Sequence, residues 1–343
     1  MKKKNIRIGI VGSGAVGTTF ATRLNTLGYD IEFVHDRHTD IEINNMREFS
    51  VMGETEPCTT LVKCVESSNH FTTKKDIIFI LCKSTHINRH IEGIVNSLTP
   101  NGFVVLLNNT LVRHLVTKHL PKSKIVGILI DWSCSKLDES TAFITNAGRT
   151  MVGNYVADAK PLAELVCKIL GTQFDPVYIE NFSDFVLGRV ILNSALASIG
   201  ALCGQKLGDY MSNKYARKLF VELIREGYCV FKIIGITPTD YDGKLDYELF
   251  VQKSFSARLY RRRIINFLQA QNPNTRSSIM LDLENNKSIE IDYMLGNIIE
   301  TGAKNNINTH FSKKVYKKIV EIKANNDTIR PELLEIVYKG SEK

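Results

Sequence analysis

The tightest constraint on what this chain can fold into is the turn Gly12-Ser13-Gly14-Ala15-Val16-Gly17. The spacing G-x-G-x-x-G is short and common, so its surroundings decide its meaning. Here it follows the apolar run Ile6 to Val11, opens a helical pattern over Ala15 to Leu27, and leads past Gly28 into a second apolar run, Ile31 to His35. That is one β-α-β unit. In such a unit the first glycine makes a tight turn, the second lets the backbone approach a pyrophosphate, and the third lets the helix lie close on the strand. The exposed N–H groups and positive dipole of the helix start then hold the anion. The expected dinucleotide contacts are therefore Gly12, Ser13, Gly14, Ala15, Val16 and Gly17.

The second strand runs into Phe33-Val34-His35-Asp36-Arg37. An acidic side chain about twenty residues past the glycines accepts hydrogen bonds from the adenosine ribose hydroxyls, which suits Asp36 and NADH. Arg37 can pair with a 2′-phosphate, which keeps NADPH open. A plain surface Asp-Arg pair at a strand end is the competing reading of both residues.

A chain of 343 residues exceeds one compact core, and its pattern changes along its length. Ile6 to Val11, Ile31 to His35, Ile77 to Cys82, Phe103 to Leu107 and Ile125 to Ile130 read as buried strands. They alternate with helical patterns at Ala15 to Leu27, His86 to Leu98 and Pro161 to Leu170. After Asp175-Pro176 apolar residues recur at three- and four-residue spacing, which predicts helices over Asp184 to Cys203, Asn213 to Ile234, Tyr247 to Gln269, Ser288 to Lys304 and Ser312 to Ala324. The expected fold class is α/β: a Rossmann-type, doubly wound parallel sheet over residues 1–178, followed by an all-helical domain over 179–343.

Hydrophobic residues at 43% and charged residues at 23% are globular values and exclude disorder or a collagen-like chain. The net charge of +8 suits an anionic substrate and a phosphate-bearing cofactor. The basic, aromatic runs Arg258 to Arg263 and Lys313 to Lys318 fit solvated helix faces and no nucleic-acid motif, so no nucleic-acid partner is expected. The start Met1 to Val11 lacks a signal-peptide core, and no uninterrupted apolar stretch reads as long enough for a bilayer, so no membrane is expected. Seven scattered cysteines without C-x-x-C predict reduced thiols in a cytoplasm. His86 and His90 lack a third ligand, so no metal is expected.

Further motifs lie at Lys83, after Ile80-Leu81-Cys82; at Leu107-Asn108-Asn109-Thr110; at Arg189-Val190-Ile191-Leu192-Asn193-Ser194-Ala195-Leu196-Ala197; and at Ser277-Ser278-Ile279-Met280-Leu281-Asp282 with Glu290-Ile291-Asp292. With these the whole chain resembles the ketopantoate reductase (2-dehydropantoate 2-reductase) family. The resemblance implies that Lys83 and Asn109 contact the cofactor, and that Asn193 and Ser278 hydrogen-bond the substrate while Glu290 orients it or the catalytic cation. It also implies an active site in the cleft between the domains, a small anionic keto acid as substrate, and a homodimer as one open assembly. The family's helical signature K-x-x-x-N-x-x-x-N puts three polar groups on one face. Here Arg189 stands at the lysine position and Ala197 at the second asparagine.

Reducing a 2-oxo acid takes a hydride, a proton for the forming alkoxide, and a grip on the carboxylate. A guanidinium does not deprotonate in proteins, so Arg189 can clamp a carboxylate or stabilise an oxyanion but is a poor proton donor. Three readings stay open. Lys83, Glu290 or a water delivers the proton while Arg189 stabilises charge; the site serves another 2-oxo acid, with Ala197 making room; or catalysis is lost and a dinucleotide-binding protein remains. Local alternatives also stand: a satisfied helix asparagine at Asn193, a helix cap and first-turn acid at Ser278 and Asp282, and dipole complementarity at Glu290.

Overall fold

The computed structural model describes residues 6–35, 46–108, 110–240, 245–271, 273–325 and 327–340. The chain divides into two compact units, one of residues 1–108 and 112–183, the other of 109–111 and 184–343.

The first unit is built on one sheet, with eleven strands among the described residues: β1 (Arg7–Val11), β2 (Asp30–Val34), β3 (Met46–Gly53), β4 (Cys58–Val65), β5 (Lys75–Ile80), β6 (Leu98–Leu107), β7 (Ile125–Ile130), β8 (Ser133–Lys136), β9 (Thr141–Asn146), β10 (Thr150–Asn154) and β11 (Pro176–Ile179). Their order across the sheet is β11-β10-β7-β6-β5-β1-β2-β4-β3-β9-β8. The six central strands β4-β2-β1-β5-β6-β7 all pair in parallel. Counted along the chain they run 3-2-1-4-5-6, the Rossmann order, whose switch point lies between β1 and β5. Runs such as Ile-Ile-Phe-Ile in β5 and Ile-Val-Gly-Ile-Leu in β7 form strands because both sheet faces are covered, which favours continuous β-branched and apolar residues.

Antiparallel pairings extend this parallel sheet at both flanks. β3 pairs antiparallel with β4, β8 with β9, and β10 with β7. The link from β2 to β4 thus includes a strand that pairs back on β4. The helix Ala15–Thr26 covers the sheet through Phe20, whose ring lies 5.5 Å from Phe79 and 4.5 Å from Phe174. The helix Lys160–Leu170 starts with Pro161 in its first turn and stops at Gly171, whose φ is +54°.

At the amino-terminal end of β5 a charged network is enclosed. Lys75 is fully buried and its ammonium lies 2.9 Å from the carboxylate of Glu32 on β2, which also takes Lys63 at 2.9 Å and the Thr72 N–H at 2.9 Å. Burial alone would raise the Glu32 carboxyl, but the hydrogen bonds from Thr72, Lys75 and Lys63 outweigh it and hold the group below its ordinary range.

Every helix of eight or more residues in the second unit is amphipathic or buried, and together they enclose one core. The longest is Phe182–Cys203, which begins at the end of the first unit, followed by Lys214–Ile233, Phe255–Gln271, Leu295–Lys304, His310–Asn325 and Glu332–Lys339. Glu226 fastens one helix to another, its carboxylate taking the Phe311 and Ser312 N–H groups, each at 2.8 Å, at the start of His310–Asn325.

Three readings of this half change. The segment Tyr247 to Gln269 is two helices, Glu248–Val251 and Phe255–Gln271, because Gln252 is extended and the Ser254 hydroxyl accepts the Ala257 N–H at 3.2 Å as a new helix start. Ser288 to Lys304 contains only a short 3₁₀ turn, Ile291–Tyr293, before the helix Leu295–Lys304. Phe182–Cys203 is long and apolar enough by composition to cross a membrane, contrary to expectation, but 83% of that window is buried in the protein, as in a core helix.

Candidate functional site

The glycine turn sits at the carboxyl end of β1, beside the end of β5. Gly12 has φ +124°, and a Cβ there would lie 2.5 Å from the Cys82 nitrogen and 2.7 Å from the Leu81 carbonyl carbon. The chain can cross that strand end only without a side chain. The Leu81 N–H donates to Val11 O at 2.8 Å, tying the two strand ends together. At Gly17 a Cβ would lie 1.7 Å from the Gly12 carbonyl oxygen, so the helix rests directly on the turn. Gly14 differs: its Cβ would meet nothing within 4 Å.

Gly14 is the N-cap of Ala15–Thr26, no side chain caps that helix start, and its first turn holds no acidic residue. Ser13 is buried, and Ala15 and Val16 are half-buried. Open space over Gly14 and a helix start without a protein cap are what an anionic pyrophosphate requires, so these residues fit a dinucleotide.

Lys83 follows the end of β5 by three residues, is half-buried, and precedes the 3₁₀ turn Ser84–His86. β2 ends at Val34 and the buried His35; Asp36, Arg37 and Asn109 lie outside the described residues. Asn108, to which the sequence reading gave no role, is buried at the end of β6. Its side-chain amide donates to Leu106 O at 2.6 Å and Ile128 O at 3.3 Å, and its carbonyl accepts from Tyr155 Oη at 2.5 Å.

In the second unit Arg189, Asn193 and Ala197 share one side of Phe182–Cys203 and are half-buried, while Val190, Ile191, Leu192, Ser194, Ala195 and Ser198 are buried. The four-residue spacing thus puts these three on one side of the helix, with Leu196 half-buried beside them and Ala197 packed against the helical core. Ser277 joins this helix to the next motif: its hydroxyl donates to Ala197 O at 2.7 Å and accepts the Met280 N–H at 3.1 Å. The cap of Ser278–Glu284 is therefore Ser277 and not Ser278, which is exposed in the first turn; Asp282 sits past that turn, so neither is the cap or first-turn acid considered above. The signal that marks Ser277 was present, since it precedes the apolar pair Ile279-Met280 at capping distance.

Glu290 is half-buried at the N-cap of Ile291–Tyr293, and its carbonyl accepts the Tyr293 N–H at 3.0 Å. Asp292 takes the Tyr316 hydroxyl at 2.5 Å, and that bond, with burial, pushes the phenol up to about 12. Within the same unit the Leu111 N–H donates to Tyr293 O at 3.1 Å, and Asn297 donates to Leu111 O at 3.3 Å. Residues 110–111 are thereby held against the turn that carries Glu290, a contact the sequence does not signal. Among the described residues no group of three His, Cys, Asp or Glu could hold a metal ion, and all seven cysteines are free.

A parallel sheet of Rossmann order with a glycine turn at its switch point, followed by a helical unit, defines the class. Residues 8–157 match the family described as ketopantoate reductase PanE/ApbA, and residues 181–323 match its C-terminal part. The chain belongs to the ketopantoate reductase family. It is similar to the 2-dehydropantoate 2-reductases of Pyrococcus horikoshii, 24% identical over 299 residues that cover 86% of this chain and 90% of the relative, and of Archaeoglobus fulgidus, 23% identical over 300 residues with 86% and 90% covered. Among solved structures the fold is shared with a D-mandelate dehydrogenase determined with NADH and anilino(oxo)acetate, at TM-score 0.78 and 14% identity over 93% of this chain and 99% of the other. It is shared too with a dimeric ketopantoate reductase from Staphylococcus aureus, at TM-score 0.72 and 17% identity over 94% and 100%.

Proposed function

We propose that this chain uses NADH or NADPH to reduce a 2-oxo acid, 2-dehydropantoate or a related branched keto acid, to the 2-hydroxy acid. The observation that carries the reading is the helix start over Gly14 without a side-chain cap, in a chain of this family that also carries a half-buried Arg189 on the helix Phe182–Cys203. The dinucleotide, when bound, supplies the hydride. Gly12 to Gly17 hold its pyrophosphate, and Asp36 with Arg37, Lys83 and Asn109 complete its site. Asn193 and Ser278 hydrogen-bond the substrate, and Ala197 leaves it room. Arg189 stays charged at every working pH and grips the carboxylate or the forming alkoxide. The proton comes from Lys83, Glu290 or a water.

The test is consumption of NADH and NADPH across a panel of branched and aromatic 2-oxo acids, with Arg189→Ala and Arg189→Lys in parallel. One branched 2-oxo acid should be turned over. Arg189→Ala should then cost about 1.5–3 kcal/mol, the range for a hydrogen bond to a charged group, seen as a KM raised roughly ten- to hundredfold.

A second reading, a dinucleotide-binding protein without catalysis, draws on Arg189 itself, because a guanidinium releases no proton. Binding of both dinucleotides with no turnover, together with turnover of 2-dehydropantoate by Arg189→Lys, would select it. Cofactor choice has its own test. Asp36→Ala should weaken NADH by about 1.5–3 kcal/mol, and an unchanged affinity removes Asp36 from the site.

A further inference from the structure

From the geometry at the end of β6 we propose that Tyr155, acting through Asn108, is a positioning residue for the nicotinamide half of the dinucleotide. The inference rests on the dinucleotide site proposed above. With the pyrophosphate at the β1 turn and the adenosine directed toward β2, the other half of the ligand must run along the carboxyl ends of β5 and β6, on the opposite side of β1. β6 lies two strands from β1, about 10 Å at ordinary strand spacing, which is within reach of that half.

Three strand ends border this track. Those of β1 and β5 are fixed to each other through Val11 and Leu81. The end of β6 is fixed by Asn108, whose N–H donates to Ile128 O of β7 at 2.8 Å and whose side chain bonds Leu106 O, Ile128 O and Tyr155 Oη. Asn108 can donate twice and accept through its carbonyl, and this set uses both capacities.

Tyr155 is in turn placed by a recess in the sheet. Gly127 of β7 and Gly153 of β10 are cross-strand partners. A Cβ on Gly127 would lie 2.0 Å from Phe182 Cε1 and 2.7 Å from Tyr155 Oη, and one on Gly153 would lie 2.4 Å from Phe182 Cβ. The two glycines leave a bare patch in which Phe182 and the phenol fit edge to face, with ring centroids 5.7 Å apart. Arg113 closes the other side, its guanidinium carbon 4.7 Å from the centre of the Tyr155 ring, and donates to Ser183 Oγ at 3.3 Å. Burial drives the phenol far above its ordinary range, so its hydroxyl stays protonated and donates to Asn108 at any working pH. A hydroxyl whose ionisation burial opposes, and which is bonded to Asn108 at the strand end, is suited to holding geometry rather than to proton transfer.

The experiment compares Tyr155→Phe with the unaltered protein for binding of NADH and NADPH, and of ADP-ribose and its 2′-phosphate, which lack the nicotinamide. Thermal melting is followed alongside. The expected result is a Kd raised about tenfold for the preferred reduced dinucleotide and unchanged within twofold for the matching ADP-ribose. The double variant Asn108→Leu, Tyr155→Phe removes both polar partners together. It should keep the weakened dinucleotide binding, and its melting temperature should fall below that of Tyr155→Phe because the Asn108 amide bonds to Leu106 O and Ile128 O are lost as well. Equal affinities for all ligands overturn the positioning role, as does an equal loss for dinucleotide and ADP-ribose that tracks the melting temperature. An unaltered protein that binds none of the four ligands removes the dinucleotide site and this proposal with it. Normal binding by that protein with no effect of Tyr155→Phe removes the positioning role alone.

Discussion

Gly17→Ala is expected to destabilise the first unit severely, while Gly14→Ala, three residues away, leaves the fold intact and loses the dinucleotide. The difference follows from what each new methyl group meets. At Gly17 it overlaps the Gly12 carbonyl oxygen at 1.7 Å, and a backbone atom cannot rotate aside, so the whole helix Ala15–Thr26 must lift from the turn. Overpacking a tight site costs about 1–3 kcal/mol, and this contact lies at the upper end, giving a melting temperature lower by roughly 6–12 °C for a unit of this size. At Gly14 the methyl enters open space and φ is an ordinary −74°, so melting should not change measurably. On the proposed reading the same methyl stands where the pyrophosphate approaches the backbone. The affinity for NADH or NADPH should fall tenfold or more, measured by titration of the folded variant. A Gly14→Ala protein that binds as tightly as the unaltered one takes the turn out of the ligand site.

Glu32→Ala should cost about 3–5 kcal/mol of stability, the range for breaking a buried ion pair, because it leaves the fully buried Lys75 ammonium without its carboxylate. The double variant Glu32→Leu, Lys75→Met removes the buried pair but leaves Lys63 and the Thr72 N–H without their acceptor, so it should lose less stability than Glu32→Ala without becoming neutral. Urea unfolding of the single and double variants separates these outcomes; equal losses in both would mean that shape and not charge is at stake. The pH dependence has a definite sign. Because the Glu32 carboxyl is held below its ordinary value in the fold, its contribution is fully present above about pH 4.5 and fades as pH falls through the lowered value. The urea unfolding midpoint of the Glu32→Gln variant should therefore shift less with pH in that window than that of the unaltered protein.

Much of the sheet is legible in the sequence. β1, β2, β5, β6 and β7 each carry a buried apolar stretch, broken in β2 by Glu32 and preceded by polar residues in β5 and β6. The central strand β4 and the flanking strands carry no such mark. In β4, Cys-Thr-Thr-Leu-Val-Lys-Cys-Val, the first half is partly exposed, and β8, Ser-Cys-Ser-Lys, is short and polar. Their pairing is set by neighbours far along the chain, β3 with β9 and β10 with β7. A period-two pattern reports which face is buried but not the strand alongside.

The long helices of the second half were legible for the same reason, since apolar spacing survives wherever one side faces a core. What failed there were the interruptions. Ser254 restarts a helix, and Met294, at φ −109° and ψ −97°, stands before the helix Leu295–Lys304. Both breaks are local backbone events inside an unbroken apolar rhythm.

The sequence alone determined the β-α-β unit around Gly12 to Gly17 and the common face of Arg189, Asn193 and Ala197, because both follow from spacing within a single element. The fold decided everything that depends on distant partners. Ser277, not Ser278, is the capping serine that reaches Ala197, 80 residues away, and Asn108 meets Tyr155 across 47 residues. Local periodicity fixes the direction in which a side chain points. Only the packed chain fixes what it finds there, since a hydrogen bond between remote residues exists only after the entropy of bringing them together has been spent on the whole core.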